Sequence, residues 1–258
     1  MKKFIILIPI YNDWKSVFQL LENIDLQIAK WDAEVLVLII NDGSTEERTV
    51  TELSFKNIKT VRVMNMKQNR GHARCNAAGL KYLTEKEDFD YVILMDGDGE
   101  DRPEELTSLF NKSKENPLKT VTANRIKRSE GSFFKLLYEC HKILTYVFTG
   151  KLIKFGNYSC LPKEDAARLV KEACIWSSFS GSVTKIISDR VSVPSIRGKR
   201  YFGPSQMSFF KLLVHSFSII AVFKGSVIVR SVLFLIFYLF FVSSNLSIVT
   251  LFPVFIIF

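Results

Sequence analysis

Four short apolar runs, Phe4 to Ile8, Val35 to Ile40, Val61 to Val63 and Tyr91 to Met95, are separated by stretches of helical periodicity. Runs of this length, rich in β-branched residues, read as buried strands. Between the first two, Val17, Leu20, Leu21 and Ile24 share one helical face, with Asn12 or Asp13 placed to cap it. Strand, helix and second buried strand make a βαβ unit, and repetition of that pattern predicts an α/β chain with a largely parallel sheet. After the fourth run, Asp101 reads as a cap, followed by Pro103, the capping-box residue Glu104 and a face of Leu106, Leu109 and Phe110. A further helix is expected from about Pro162, burying Ala166, Leu169, Val170 and Ala173.

In an open α/β sheet, ligands bind outside the carboxyl ends of the strands. Here the first strand ends in Pro9, Tyr11, Asn12 and Asp13, and the second in Asn41, Asp42, Gly43 and Ser44. The fourth ends in Asp96, Gly97, Asp98, Gly99, Glu100 and Asp101. Such a crowd of carboxylates is unfavourable unless a cation sits among them. A divalent ion bridging to a diphosphate meets that need, because Mg²⁺ takes one or two carboxylates and completes its shell with phosphate and water. Asp96 and Asp98, two apart in extended chain, point the same way. A second Asp-x-Asp triplet, Asp88 and Asp90, precedes the strand, lies at the wrong end of the sheet and reads as a solvated turn.

The composition changes near Arg200. Over 208–223, Phe209, Leu212, Leu213, Phe217 and Ile220 form one face and Lys211, His215 and Ser218 another, the pattern of a helix lying in a bilayer interface. From Val227 to Ser243 the chain is apolar for about 17 residues, near the minimum that spans hydrocarbon, with Arg230 placed to snorkel. Leu246 to Phe258 is apolar again but short, so it is expected to be the start of a truncated second span. Lys and Arg exceed Asp and Glu by 35 to 26. Seven of those cations follow Asp189, the last acid, namely Arg190, Arg197, Lys199, Arg200, Lys211, Lys224 and Arg230. Charge concentrated in an apolar tail argues for a membrane surface and against a nucleic-acid partner. Cys75, Cys140, Cys160 and Cys174 show no metal or disulfide spacing and are read as core thiols of a reducing compartment. The opening MKKFIILIPIYND is too briefly apolar for a signal peptide and is read as the first strand.

The segments IPIYND, LIINDGSTE, NRGHARCNAAGL, MDGDGEDRPEEL, NRIKR and RYFGPSQMS together resemble the inverting family 2 glycosyltransferases. Within them the match is to the polyprenyl-phosphate, dolichol-phosphate mannose synthase-like group, and it covers most of the chain. The resemblance implies a GT-A, Rossmann-like domain over 1–203, an interfacial amphipathic helix over 204–225 and transmembrane segments over 226–258. It implies that Pro9, Tyr11, Asp13 and Asp42 hold the nucleoside of a nucleotide-sugar donor and that Asp96 meets its ribose side. Asp98 and Glu100 would hold Mg²⁺ or Mn²⁺. Arg125, Arg128 and Arg200, with Ser205 and Gln206, match phosphate-handling positions, a task that suits the guanidinium fork. Read alone, Asp42 also suits a helix cap and Arg128 a solvated loop.

The family often has glutamine in place of Glu100 and lysine in place of Gln206. Bacterial relatives commonly carry aspartate where Asn157 stands, and an amide cannot be a general base. A lipid phosphate, with a second pKa of about 6, needs no base, whereas a sugar hydroxyl does. The expected activity is therefore inverting transfer of a sugar from a nucleotide diphosphate to a polyprenyl phosphate, on the cytoplasmic face of the inner membrane. Extension of a glycan at a hydroxyl is the alternative, and a homo-oligomer is compatible with the sequence.

Overall fold

The computed structural model describes residues 1–46, 54–127, 132–203 and 209–243. Seven strands form one mixed sheet: β1 (Lys2–Ile10), β2 (Ala33–Asn41), β3 (Ile58–Asn65), β4 (Tyr91–Leu94), β5 (Thr120–Lys127), β6 (Phe155–Pro162) and β7 (Arg190–Ile196). Their order is β3-β2-β1-β4-β6-β5-β7. The first four are parallel, β6 runs against both β4 and β5, and β7 is parallel to β5. All four expected strands are present. Because β2 lies on one side of β1 and β4 on the other, the chain reverses its winding at β1, where such sheets open a crevice.

β1 shows why the sheet is covered on both sides. Phe4, Ile6, Ile8 and Ile10 point into one core, with α1 (Trp14–Gln27) and α3 (Leu106–Glu115). Ile5 and Leu7 point into the other, with α2 (His72–Lys86), α5 (Lys163–Val170) and α6 (Phe179–Ile186). The period of two, apolar on both phases, is what a central parallel strand requires. On α1 the expected face of Val17, Leu20, Leu21 and Ile24 is fully buried, so truncating Leu20 to alanine removes about 2–5 kcal/mol.

Several expectations are corrected. Asp101 does not cap: a short 3₁₀ turn at Pro103–Glu105 precedes α3, and the Asp101 carboxylate turns back to accept the Asp96 amide. Ala173 is exposed, beyond the end of α5. All four thiols are free, but only Cys75 and Cys160 are core residues, Cys140 being exposed on α4 (Ser132–Thr149).

Helix α7 (Phe209–Val222) docks differently from its expected apolar face. Ser216, Ile219 and Val222, with Phe223 beyond the helix, are buried, the apolar three packing on Ile153 and Cys174. Phe217 lies on the other side, where Phe210, Val214 and Phe217 are 60–77% exposed. Lys185 Nζ donates to the Val222 carbonyl at 3.1 Å, a cation at the negative helix end. Helix α8 (Lys224–Val242) has 19 residues and a mean hydropathy of 2.3, sufficient by length and composition to cross a membrane. Arg230 does not extend along α8 to an interface; its Nη1 donates to the Val147 carbonyl, 3.1 Å away in the last turn of α4. Residues 204–208 and the apolar 244–258 stretch lie outside the described residues.

Candidate active site

The ends of β1 and β2 are tied to each other before any ligand is considered. Asn12, at φ +48°, accepts the Thr45 amide at 2.8 Å through Oδ1, while its own amide donates to Ser44 Oγ at 2.9 Å. Gly43, at φ +68°, lets the β2 end approach the backbone of Gln68 and Asn69, where a Cβ would lie 2.8 Å from main-chain atoms. Asp42 beside it is buried and accepts the Arg70 and Gly71 amides, each at 2.8 Å. It therefore fixes the loop entering α2, with both oxygens engaged; residues 47–53, after β2, lie outside the described residues. Tyr11 is 47% exposed and presents its ring at the rim. Pro9 is buried within β1, paired with Ile40, and shapes the strand end.

The loop after β4 carries the carboxylates. In the β4–β6 register Leu94 faces Ser159, and two further residues along each strand set Asp96 opposite Asn157. Asn157 Nδ2 donates to Asp96 Oδ1 at 3.1 Å. His72, the first residue of α2, places Nε2 2.9 Å from the same oxygen. Burial works against the charge of Asp96, but His72, with help from Arg125, holds its carboxyl well below the usual carboxylate range. Burial likewise opposes the His72 charge, and Asp96 offsets it, so the imidazole titrates above its ordinary value. Asp98 differs: burial, then Asp96 and Glu100, push it up to about 6 despite Arg200. Burial and Asp96 push Asp101 up to about 7, against the pull of Arg125, whose Nη2 lies 3.5 Å away.

A short strap, Arg197 to Tyr201, lies over this loop. The Gly198 amide donates to the Glu100 carbonyl at 2.8 Å and the Tyr201 amide to the Asp98 carbonyl at 3.0 Å. The Tyr201 ring covers Gly99, which sits at φ +87° and has no room for a side chain. Arg200 reaches Asp98 through Nη1 at 2.7 Å and Asp13 through Nη2 at 2.6 Å, while Arg197 pairs with Glu100. The N-terminal residue before α1 thus uses its carboxylate on Arg200 and makes no cap bond. Arg125 packs its guanidinium against Gly156 on β6.

The structure therefore brings Asp13, Asp96, Asp98, Glu100 and Arg200 together, with Arg125 behind them and Tyr11 and Asp42 on the β1–β2 side. Arg128, Ser205 and Gln206 lie outside the described residues. Sequence reasoning missed His72 and Arg197. His72 stands within NRGHARCNAAGL, where a histidine opening a helix beside a carboxylate-rich strand end was the available signal. The other triplet is at the opposite end of β4: Asp88 is 94% exposed and pairs with Lys163, and Asp90 accepts the Lys3 amide.

Asp98 and Glu100 fit a divalent cation. They are hard oxygen donors, and the Asp98 carboxyl, raised first by burial and then by the charges of Asp96 and Glu100, stands beside negative charge that a cation would offset. Among the described residues no group of three metal-binding side chains is placed to hold an ion.

The sequence that forms this crevice matches the family described as glycosyl transferase family 2 over residues 5–175, about two thirds of the chain. The chain belongs to glycosyl transferase family 2. Among curated members, it is similar to undecaprenyl-phosphate 4-deoxy-4-formamido-L-arabinose transferase of Klebsiella pneumoniae (strain 342), 27% identical over 218 residues. That match covers 82% of this chain and 64% of the relative, so the chain spans just under two thirds of the relative's length. The same enzyme from Klebsiella pneumoniae subsp. pneumoniae matches equally. Among solved structures, glucosyl-3-phosphoglycerate synthase from Mycobacterium tuberculosis, in complex with Mn²⁺, UDP-glucose and phosphoglyceric acid, superposes with a TM-score of 0.60 at 13% identity. It covers 88% of this chain and 80% of that one, a likeness that establishes the GT-A fold.

Proposed function

We propose that this family 2 glycosyltransferase moves a sugar from a nucleotide-diphosphate donor to a polyprenyl phosphate, with inversion, at the cytoplasmic face of the inner membrane. The observation that carries the reading is Asn157 opposite Asp96. At the strand position facing the carboxylate loop the chain presents an amide that donates a hydrogen bond. The neighbouring carboxylates are engaged, Asp96 by His72, Asp98 by Arg200 and Glu100 by Arg197. An acceptor that arrives already ionised needs no base from this set. The similarity to an undecaprenyl-phosphate sugar transferase supports the same acceptor class.

In this reading Tyr11 and Asp13 meet the nucleoside and Asp96 the ribose side. Asp98 and Glu100 hold Mg²⁺ or Mn²⁺, which neutralises charge on the diphosphate when bound. An oxygen of the lipid phosphate attacks the anomeric carbon, the bond from that carbon to the diphosphate breaks, and the nucleoside diphosphate departs with the electron pair. Arg200 moves from Asp13 and Asp98 towards the leaving phosphate, and Arg125 stands on the acceptor side, both as guanidinium donors to developing charge. Helices α7 and α8 hold the domain at the bilayer, and Lys211 and Lys224, ahead of the apolar span, favour the cytoplasmic side for the end that joins the domain.

The test is the linkage of the product formed by membranes supplied with a panel of labelled nucleotide sugars. A sugar linked through phosphate is released by mild acid, and Asn157→Ala reduces its formation only modestly. An acid-stable product would instead assign the enzyme to glycan extension at a hydroxyl.

A further inference from the structure

Helix α2 begins at His72, and Asn76, one turn later, lies on the same face of the helix. Asn76 is fully buried, and its Nδ2 stands 3.4 Å from His72 Nδ1. Its Oδ1 has no hydrogen-bond partner among the described residues. A buried carbonyl oxygen left unpaired is destabilising, so the amide is not turned to satisfy itself. It is turned to meet what Nδ1 offers. From the other side Asn157 of β6 places its own Nδ2 3.4 Å from the same Nδ1 and 3.1 Å from Asp96 Oδ1. Two amide nitrogens, one from the helix and one from the strand, therefore converge on one imidazole nitrogen. An amide nitrogen only donates, and Nδ1 accepts only when it carries no hydrogen. In the neutral ring the hydrogen then sits on Nε2, which lies 2.9 Å from Asp96 Oδ1.

Which nitrogen of a histidine carries the hydrogen is set by the partner of the other. The opposite tautomer would aim a ring N–H at two amide N–H groups and a bare Nε2 at the Asp96 carboxylate, repulsive on both sides. A carboxylate in place of either amide would remove that bias, because it offers Nδ1 an acceptor. We propose that Asn76 and Asn157 together hold His72 in one tautomer, hydrogen on Nε2 and lone pair on Nδ1, and that His72 so held is the positioning residue that ties Asp96 to α2 and β6 at once. The role of Asp96 towards the donor rests on the function proposed above; the tautomer rests on the three side chains around the ring.

The experiment uses the full chain in detergent, labelled with ¹⁵N-histidine and kept in EDTA at about pH 8.5, where an ordinary imidazole is neutral. Two-bond ¹H–¹⁵N correlation reads which ring nitrogen is protonated, and the His72 signals are those lost in His72→Gln. The wild type should show Nε2 protonated and Nδ1 bare. Asn157→Asp, at a half-buried position, should move a hydrogen onto Nδ1, and Asn76→Leu should leave a mixture of the two tautomers. Calorimetry with UDP, GDP and CDP in Mg²⁺ then reads the positioning role. Asn76→Leu should weaken the best-bound nucleotide about fivefold, the scale of one neutral hydrogen bond. Combined with His72→Ala it should cost nothing further, because Asn76 acts through the ring. A wild-type ring protonated on Nδ1 overturns the proposal, and so do losses that add in the double variant, which would make Asn76 a merely structural residue. A wild type that has the Nε2–H ring but binds none of the three nucleotides supports the tautomer and overturns the proposed function instead.

Discussion

Replacing Arg200 by alanine should change stability and metal affinity in opposite directions. Its two guanidinium nitrogens make bonds of 2.7 and 2.6 Å to Asp98 and Asp13, and all three side chains are only 15–18% exposed. Hydrogen bonds to charged groups contribute about 1.5–3 kcal/mol each. Residual water access places both near the lower end, so the variant should lose about 3 kcal/mol. For a domain of this size that lowers Tm by about 6–12 °C. The loss leaves two carboxylates facing each other without a cation, which is an improved site for Mn²⁺. Because the wild type binds the ion as well, saturating Mn²⁺ narrows the gap by the ratio of the two affinities, about 1.4 kcal/mol for a site ten times tighter in the variant, roughly half of the deficit. Melting of the full chain in detergent, followed by tryptophan fluorescence in EDTA and then in Mn²⁺, reads both effects. The gap between variant and wild type should be wide in EDTA and about half as wide in saturating Mn²⁺, with transfer still reduced about 10²–10³-fold. Equal melting in EDTA, or a gap that Mn²⁺ leaves unchanged, would refute the reasoning.

Asp98→Asn should abolish transfer while leaving Tm within a few degrees, because burial already disfavours that charge; Asp88→Asn, at a 94% exposed position, should be neutral, and wild-type turnover in the first or a matching loss in the second would reverse the assignment of the two triplets. Asp25 accepts the Ile58 and Asn57 amides at 2.8 Å and the Lys56 amide at 3.2 Å. These bonds overcome its burial and lower its pKa, so its contribution is complete above the unfolded value of about 3.9 and disappears as pH falls through the folded value. Urea unfolding should show Asp25→Asn less stable by about 2–3 kcal/mol at pH 7, with the difference shrinking below pH 4; a constant difference would count against the carboxylate. His72→Ala should lower transfer and His72→Gln restore part of it through the amide donor to Asp96, and failure of glutamine to do better than alanine would remove the positioning role. Because the His72 pKa is raised by Asp96, its charge is present below that value, and activity due to it should fall only as pH rises above about 6.5.

The parallel half of the sheet was legible because its information is local. β1 alternates between two apolar phases, and the strand ends change abruptly to Tyr-Asn-Asp and Asp-Gly-Asp, which located the crevice and five of the residues around it. What was hidden depends on pairing across the chain. Asp101 satisfies every local rule for a helix cap, yet an amide five residues back and the Arg125 guanidinium claim it. Arg197 and Glu100, 97 residues apart, meet only because the strap lies over the loop. The face of α7 was misread because both of its sides are apolar, so periodicity could not say which one meets Ile153 and which remains outside.

In the membrane arrangement proposed above, in which α8 enters a bilayer, the contact between Arg230 and the end of α4 has a mechanical consequence. The guanidinium rests on the partial negative charge of a helix terminus rather than among headgroups, so α8 is braced to the catalytic domain about a third of the way along its length. A lone spanning helix answers a thicker or thinner bilayer by changing its tilt. A braced one cannot do so by itself. Any mismatch with the surrounding lipid must rotate the whole body, and with it the mouth of the crevice, so the angle at which an acceptor meets Asp98 is set by the protein and its orientation in the membrane together.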